Sequence, residues 1–558
     1  MSSVRKPGKK AGARLPSEKS GPSPRARAGK RVPRVLIVAI SRDLNGNQQV
    51  LPLAGGFLKS YADKQLGGRV EIRTLSLFGF NAGRALEFID LWDPDIVAFS
   101  CYLWSSRRIE DICRRVKEKY PRKRIILGGP EATGRKADLL EKCGADALVL
   151  GEGEATFTEL LARYLAGRDW KGTPGVLVRS GGAVHEGPPR PEIRDLDSIP
   201  SPFSDAPVVM GIRGGGKKCY TFETMRGCPN KCTFCVWTQL AAKKPRYFSD
   251  KRIAADLARI AANSPGSCVF VADSDMFLNH PRALRLAPVF RKIAEKNGCY
   301  FIFQTNLNHW TPELMRAWNH KCFDMNAGVN SVNPAVQKIL GRSYPKSLVE
   351  KKLAEMRRCA PETKITMQIM FAAPGETFAA FCEAFDWAWR RPVSYLLFFH
   401  TQPLHGTLMR ARAGELGIKY RQVPPYHIIS TREAAAEEIK TEGLMVLFST
   451  VWMYAPRPRA MYLALADGLY GGSLAAAFLA VWGGMKGAAR RTALEAWERF
   501  NGGSDWFPDD FQLDLSHGYA PPGTRPFLKA ANGALLAAYG RYLRRKKAGP
   551  AAYVISRP

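Results

Sequence analysis

From Val35 onward the chain alternates short runs rich in β-branched residues with longer stretches whose apolar residues recur at helical spacing. The first runs are VLIVAI (35–40), RVEIRTL (69–75), DIVAFSCY (95–102), KRIILGGP (123–130) and ALVLGEG (147–153). A strand that is apolar on both faces needs cover on both, so such runs separated by helix-length segments predict a parallel sheet between two helical layers. Residues 35–166 therefore read as a five-stranded, doubly wound α/β domain with its ligands at the carboxyl ends of the strands. Residues 167–205 are rich in Gly, Pro and Asp, with room for one small hairpin, and read as a linker.

A second series follows over 206–415: CYTFETM (219–225), CVFVADSD (268–275), YFIFQTN (300–306), FDMNAGVNS (323–331), KITMQIMF (364–371) and SYLLFFHTQP (394–403). Six βα units predict a partial (β/α)6 barrel that carries its chemistry on the loops leaving the strand tops. From 416 to 558 the pattern is helical and Ala-rich. Its apolar stretch 461–484 has the length of a membrane span, but Asp467 and the glycines interrupt it. No transmembrane segment is expected there. A buried helix pair is the expectation, with an apolar groove or membrane-surface contact as the alternative.

Charge changes this picture little. The net charge is +33, yet residues 1–34 hold eleven Lys or Arg against Glu18 alone and have the composition of a disordered tail. The remainder is spread over helical patterns that read as solvated faces, so no specific nucleic-acid partner is expected. Twelve cysteines in 558 residues are too sparse for a disulfide scaffold, and the first apolar run, Val35 to Ile40, is too short to be expected to act as a secretory signal. Reduced thiols and a cytoplasmic location are the expectation.

Three of those thiols are close together. MRGCPNKCTFCVW (225–237) places Cys228, Cys232 and Cys235 four and then three residues apart, with no His, Asp or Glu among them. A loop of that spacing can hold three corners of a cubane iron–sulfur cluster and leave one iron open. A zinc site with a distant fourth ligand is the alternative, although the paired knuckle usual for zinc is missing.

The stretch resembles the C-x3-C-x2-C motif of the radical S-adenosylmethionine (SAM) superfamily, including Phe234 before the third cysteine. The resemblance implies a 4Fe-4S cluster whose open iron takes the amine and carboxylate of SAM. It also implies SAM contacts at Phe234, at Asp273, with Asp275 as the alternative, at Asn330 and Ser331 of GVNS, and at Gln304 and Gln368. APGET (373–377) matches a family turn with Thr377 as helix N-cap.

Ahead of that motif, the first domain resembles the cobalamin-binding domain of class B radical SAM enzymes. The matching strings are FSCYLWS (99–105), LGGPEAT (127–133) and GEGEAT (151–156). They imply cobalamin contacts from Ser100, Tyr102, Leu103, Trp104 and Ser105, from Gly128, Gly129, Pro130 and Glu131, and from Gly151, Glu152 and Gly153. The chain has no His before His185, so cobalamin is expected base-off and His-off, with Tyr102, Leu103 and Trp104 over its lower face.

Together the two resemblances imply a cobalamin-dependent radical SAM methyltransferase. It would methylate an unactivated carbon of a small-molecule or natural-product substrate through methylcobalamin and a 5′-deoxyadenosyl radical, with flavodoxin or ferredoxin as electron donor. A cyclase or rearrangement enzyme with the same cofactors is the alternative, and a non-enzymatic cobalamin sensor a second. An RNA methylthiolation enzyme would need a second cluster, for which Cys113 and Cys143 look like packing residues. His400, His405 and the stretch 505–519 are candidate pocket residues, with packing and loop roles the plainer expectation.

Overall fold

Strand β1 (Arg34–Ser41) shows why the first series folds as a covered sheet. Leu36, Val38 and Ile40 enter one apolar cluster with Val97, Phe99, Ile125 and Leu127, while Val35 and Ile37 enter a second with Ile72, Ile96 and Ile126. Alternate side chains of one strand thus feed two cores. The computed structural model describes residues 31–41, 43–44, 48–78, 82–204, 208–210, 217–240, 243–502 and 524–545. The basic tail, apart from its last four residues, and the stretch 505–519 lie outside them.

After β1 come β2 (Asp43–Leu44), β3 (Gln48–Leu51), β4 (Glu71–Phe78), β5 (Ile96–Ser100), β6 (Arg124–Gly128) and β7 (Ala147–Val149). Parallel strands in the order β4-β1-β5-β6-β7 form the doubly wound centre. The segment read as a linker is partly sheet. A hairpin of β8 (Val176–Ser180) and β9 (Ala183–Glu186) adds antiparallel strands beyond β7.

The six units of the second series are β11 (Lys217–Phe222), β14 (Cys268–Val271), β15 (Tyr300–Thr305), β16 (Phe323–Asn330), β17 (Lys364–Phe371) and β18 (Tyr395–His400). They pair in parallel in chain order, as the partial barrel requires. A two-strand ribbon, β12 (Met225–Arg226) against β13 (Arg246–Tyr247), carries the cysteine loop.

The two sheets also exchange strands. From the first domain's own sequence, β3 pairs with β11 of the barrel, with β2 antiparallel outside it. In return β10 (Val208–Met210), expected in the barrel segment, pairs with β4 of the first sheet. An exposed edge of unpaired N–H and C=O groups takes whichever short strand reaches it, and neither assignment is visible in periodicity.

The C-terminal helices do not form a separate core. Helix Ala436–Met453 is buried almost all round from Leu444 to Met453 and belongs to the apolar cluster that fills the barrel wall. A Cβ at Gly443 would lie 2.0 Å from the Trp497 ring, so that close approach needs glycine. The apolar stretch 461–484 is a bent pair, Pro456–Leu469 and Leu474–Gly484, at 102°. Among the described residues no single helix is long and apolar enough to cross a membrane, although this pair passes that test by length and composition together.

Candidate functional site

Strand β11 delivers the chain to Glu223 and Thr224 at the strand-top end of the barrel, and the ribbon carries it on to Gly227 and Cys228. Cys228 is 4% exposed, Cys232 2% exposed and Cys235 half-buried. Thr238 donates its hydroxyl to the carbonyls of Cys232, at 2.6 Å, and Cys235, at 2.9 Å. Thr233 bonds Leu340 and Ile339 carbonyls through its N–H and hydroxyl, and its own carbonyl accepts from Met409 N–H. These bonds fix the loop without using the thiols, of which Cys228 Sγ accepts from Asn230 Nδ2 at 3.5 Å. No two of the twelve cysteines are joined by a disulfide.

No three His, Cys, Asp or Glu side chains among the described residues are placed to share one metal ion. A cubane is a wider object, with each thiolate on its own iron. Burial pushes the thiols of Cys232 and Cys235 up, and the Arg342 guanidinium pulls both back. Iron binding would remove the thiol protons outright, as a coordinated metal does.

Asp273 is where the structure departs from expectation. Its Oδ1 accepts the backbone N–H of Thr224 at 2.7 Å and of Met225 at 3.2 Å, and its Oδ2 accepts the Thr224 hydroxyl. Burial pushes this carboxyl above its usual range, and those bonds pull it down. Through these bonds Asp273 braces the entry to the cysteine loop. Ser274 assists by donating to the Gly227 carbonyl at 2.8 Å. Asp275 is committed too, to His309 Nδ1 at 2.5 Å and to the N–H groups of Phe277 and Asn306. Its hydrogen bond raises the pKa of His309.

Across the strand tops, Asn330 and Gln368 do converge. The β16–β17 register shifts between Gly328 and Asn330, and Asn330 sits at φ 66°, a bulge that re-aims its side chain. A Cβ at Gly328 would lie 3.7 Å from Asn330 Oδ1, 3.8 Å from Gln368 Oε1 and 3.9 Å from Arg342 Nη2. Asn330 Oδ1 and Arg342 Nε are buried with no hydrogen-bond partner. Unpaired buried polar atoms are costly unless a ligand completes them. Two amide oxygens suit an ammonium and the guanidinium suits a carboxylate, which together describe an amino-acid head group. Ser331 serves the loop, accepting Asn333 N–H at 3.1 Å. Gln304 stands on β15 opposite Asn326, and Phe234 packs on the barrel core.

Arg342 was not legible in the sequence. It follows the Gly341 helix end and donates at 2.8 Å to the Tyr344 hydroxyl, which donates at 2.7 Å to Asn306 Oδ1. Nothing in ILGRSYP distinguishes it from a surface arginine.

In the first domain, the Tyr102 and Trp104 rings stack at 4.5 Å and 9°, and Trp104 Nε1 donates to the Ile40 carbonyl at 3.3 Å. Ser105 accepts the Tyr102 N–H at 3.1 Å and closes the turn beneath them, while the Ser100 hydroxyl bonds the Tyr102 phenol. Leu103 is half-buried beside them. Gly129 has φ 97°, and a Cβ there would lie 2.7 Å from the Cys101 carbonyl. Pro130 opens the next helix, Pro130–Arg135. Around Gly128 and Gly151 an added Cβ meets nothing closer than 3.8 Å, which leaves room for a bulky ligand. Gly153 caps helix Glu154–Leu165.

Two expected cobalamin contacts have other partners. Glu131 accepts the Tyr426 hydroxyl at 2.8 Å, across 295 residues of chain. Glu152 pairs with Arg246 and lies 3.5 Å from Arg226 of the cysteine ribbon. Cys113 and Cys143 are buried packing residues of the first core, as expected. His400 packs between Phe371 and His427, with ring centroids at 4.5 and 4.2 Å, and His405 lies against Tyr426.

The 373–377 turn does cap a helix, with Thr377 accepting Ala380 N–H at 3.2 Å. Its neighbour Glu376 is 3% exposed, its Oε1 has no hydrogen-bond partner, and burial pushes its carboxyl up to about 8. Between 4.5 and that value the folded chain keeps a proton that the unfolded chain has released. Stability attributable to Glu376 therefore falls as pH rises through that window. Parallel thermal melts of wild type and Glu376→Gln are expected to show a shallower decline for the variant between about pH 5 and 8. Equal slopes would mean the carboxyl is already ionised in the fold.

Comparison with known proteins agrees with this geometry. Residues 67–161 match the B12 binding domain and residues 222–388 the radical SAM superfamily. The cobalamin-dependent radical SAM methyltransferase TokK of Streptomyces tokunonensis is 32% identical over 262 residues, 44% of this chain and 37% of the relative. The 2-(S-pantetheinyl)-carbapenam-3-carboxylate methyltransferase of Streptantibioticus cattleyicolor is 29% identical over 319 residues, 53% of this chain and 44% of the relative. This chain thus spans less than half the length of either. The cobalamin-dependent SAM radical enzyme OxsB, solved with aqua-cobalamin bound, shares the fold at TM-score 0.60 and 13% identity, covering 94% of this chain and 82% of that one.

Proposed function

We propose that this chain, which joins a B12-binding domain to a radical SAM domain, is a cobalamin-dependent radical SAM methyltransferase acting on an unactivated carbon of a small-molecule or natural-product substrate. One observation carries the reading: the ribbon that leads into the loop of Cys228, Cys232 and Cys235 is fastened through Arg226 to Glu152 and Glu154 beside the glycine loop, which supports two cofactor sites as neighbours. When bound, a 4Fe-4S cluster with SAM supplies one-electron cleavage chemistry, and cobalamin supplies a methyl carrier.

The residues present fit those groups. The three thiols would hold the cluster, while Asn330, Gln368 and Arg342 would bind the amino-acid head of SAM. Tyr102 and Trp104 offer cobalamin a stacked aromatic platform, and the open faces of Gly128 and Gly151 admit its bulk. Asp273 and Ser274 keep the cysteine loop in register. The C-terminal helices share the barrel's apolar cluster and would help keep water from the radical chemistry.

The decisive experiment is product accounting with anaerobically reconstituted enzyme and its substrate. S-Adenosylhomocysteine and 5′-deoxyadenosine are expected in about equal amounts for each methylated product, because regenerating the methyl carrier and making the radical are separate uses of SAM. Deoxyadenosine with a product lacking methyl mass would instead favour a cyclase or rearrangement enzyme. Neither product in turnover would leave a cobalamin sensor.

Cobalamin is read as base-off and His-off. His185, the first histidine, lies on β9 at the far edge of the sheet, with Nε2 3.3 Å from the Ser180 carbonyl. Bound cob(II)alamin is expected to give an EPR spectrum without nitrogen superhyperfine splitting, and a resolved triplet from an axial nitrogen would refute this. A small reductant such as flavodoxin or ferredoxin, and a cytoplasmic setting, complete the reading. Contact with a membrane surface would involve the bent helix pair, for which packing into the C-terminal helices is the simpler role.

A further inference from the structure

Arg226 lies two residues before Cys228, and its side chain, 12% exposed, faces the other domain. Its Nη2 is 2.6 Å from Glu154 Oε1 and 2.8 Å from Glu223 Oε1, and its Nη1 is 3.5 Å from Glu152 Oε2. The guanidinium also rests 5.1 Å from the centroid of the Phe57 ring. Glu152 and Glu154 flank Gly153, so one tight turn of the first domain presents two carboxylates to the ribbon under the cysteine loop.

On the ribbon, Arg226 stands directly opposite Arg246. Like charges in such a cross-strand pair repel, and here Glu152 sits against both, with Arg246 Nη1 donating to it at 3.2 Å and to the Ile193 carbonyl at 2.6 Å. Glu223 and Glu192 offset part of this charge, and Glu152, the carboxylate that meets both arginines, lowers the energy of the pairing further when the glycine loop is docked. From the other side, Asp273 and Ser274 hold residues 224, 225 and 227. Between those two sets of bonds, any shift of the 151–153 loop reaches Cys228 through a single residue.

We infer that Arg226 is a positioning residue that sets the placement of the cysteine loop relative to the cobalamin loop, so that occupancy of one cofactor site is felt at the other. This rests on the two-cofactor reading above. The coupling is reciprocal, as linkage requires: cobalamin that orders the 151–153 turn also orders Cys228, and a reconstituted cluster tightens cobalamin binding. The arginine touches neither reacting centre, and its fork geometry is the reason lysine would replace it only in part.

The test uses the full chain with both cofactors loaded and partly reduced. In wild type, EPR of cob(II)alamin is expected to show relaxation enhancement or broadening from the reduced cluster, and cobalamin affinity is expected to rise on cluster reconstitution. Arg226→Gln should keep stoichiometric iron and sulfide, lose that mutual effect and bind cobalamin at least tenfold more weakly, with Arg226→Lys in between. The exchanged pair Arg226→Glu with Glu154→Arg should recover part of the coupling, which a purely structural filler would not. If Arg226→Gln does not fold, Glu154→Gln carries the same comparison at smaller amplitude. Wild-type protein that loads both cofactors, together with an Arg226→Gln or Glu154→Gln variant whose spectrum and affinity match wild type, would overturn the inference. Wild-type protein that never binds cobalamin would overturn the two-cofactor reading instead.

Discussion

Replacing Cys228, Cys232 and Cys235 together with alanine is expected to abolish the iron–sulfur cluster. Reconstituted variant should hold iron and sulfide at background and give no reduced-cluster EPR signal. It should still bind cobalamin, because Tyr102, Trp104 and the glycine loops lie on another sheet, and retained binding also certifies the fold. Three of the other thiols are poor substitutes. Cys101 and Cys113 are buried among apolar side chains, and burial pushes both well above the usual thiol range; the same holds for Cys268, raised first by its hydrogen bond with Cys219. A thiol that costs this much to ionise is a packing group and a poor ligand. A cluster surviving in the triple variant would overturn the assignment.

Arg342→Leu is expected to leave the cluster intact and to weaken SAM binding by ten- to a hundredfold. The guanidinium converges with Asn330 and Gln368 around Gly328 and has a buried Nε with nothing to bond. A charge-assisted hydrogen bond contributes roughly 1.5–3 kcal/mol, and each 1.4 kcal/mol is about a factor of ten in affinity. The measurement is the change in the reduced-cluster EPR spectrum as SAM is added, with cobalamin affinity as the control. Arg342→Lys should recover only part of the loss, because an ammonium supplies charge without the planar fork. An unchanged SAM titration would place the carboxylate elsewhere.

What the sequence determined by itself is local. A run such as VLIVAI has apolar residues on both faces and must be sandwiched, so the doubly wound sheet was legible, whereas KITMQIMF sets Ile365, Met367, Ile369 and Phe371 against Lys364, Thr366 and Gln368, and it was six such runs spaced by helical patterns that made the barrel legible. The spacing of Cys228, Cys232 and Cys235 was legible because it spans eight residues of one loop, and Thr377 because a cap acts within a single turn. The tertiary structure decided everything that depends on a distant partner. Strands β3 and β10 were placed by which sheet edge they met. Asp273 was made a brace of the cysteine loop by Thr224 and Met225, some fifty residues earlier. Glu131 and Glu152 were claimed by Tyr426, Arg226 and Arg246 across the domain boundary, and Arg342 gained its role from Asn330 and Gln368 on neighbouring strands. A carboxylate or guanidinium carries the same label in the sequence whether it binds a ligand or another side chain. Which it does depends on the partner that meets it as water is excluded, because a buried charge must be paired by something, and only the folded chain brings that partner into reach.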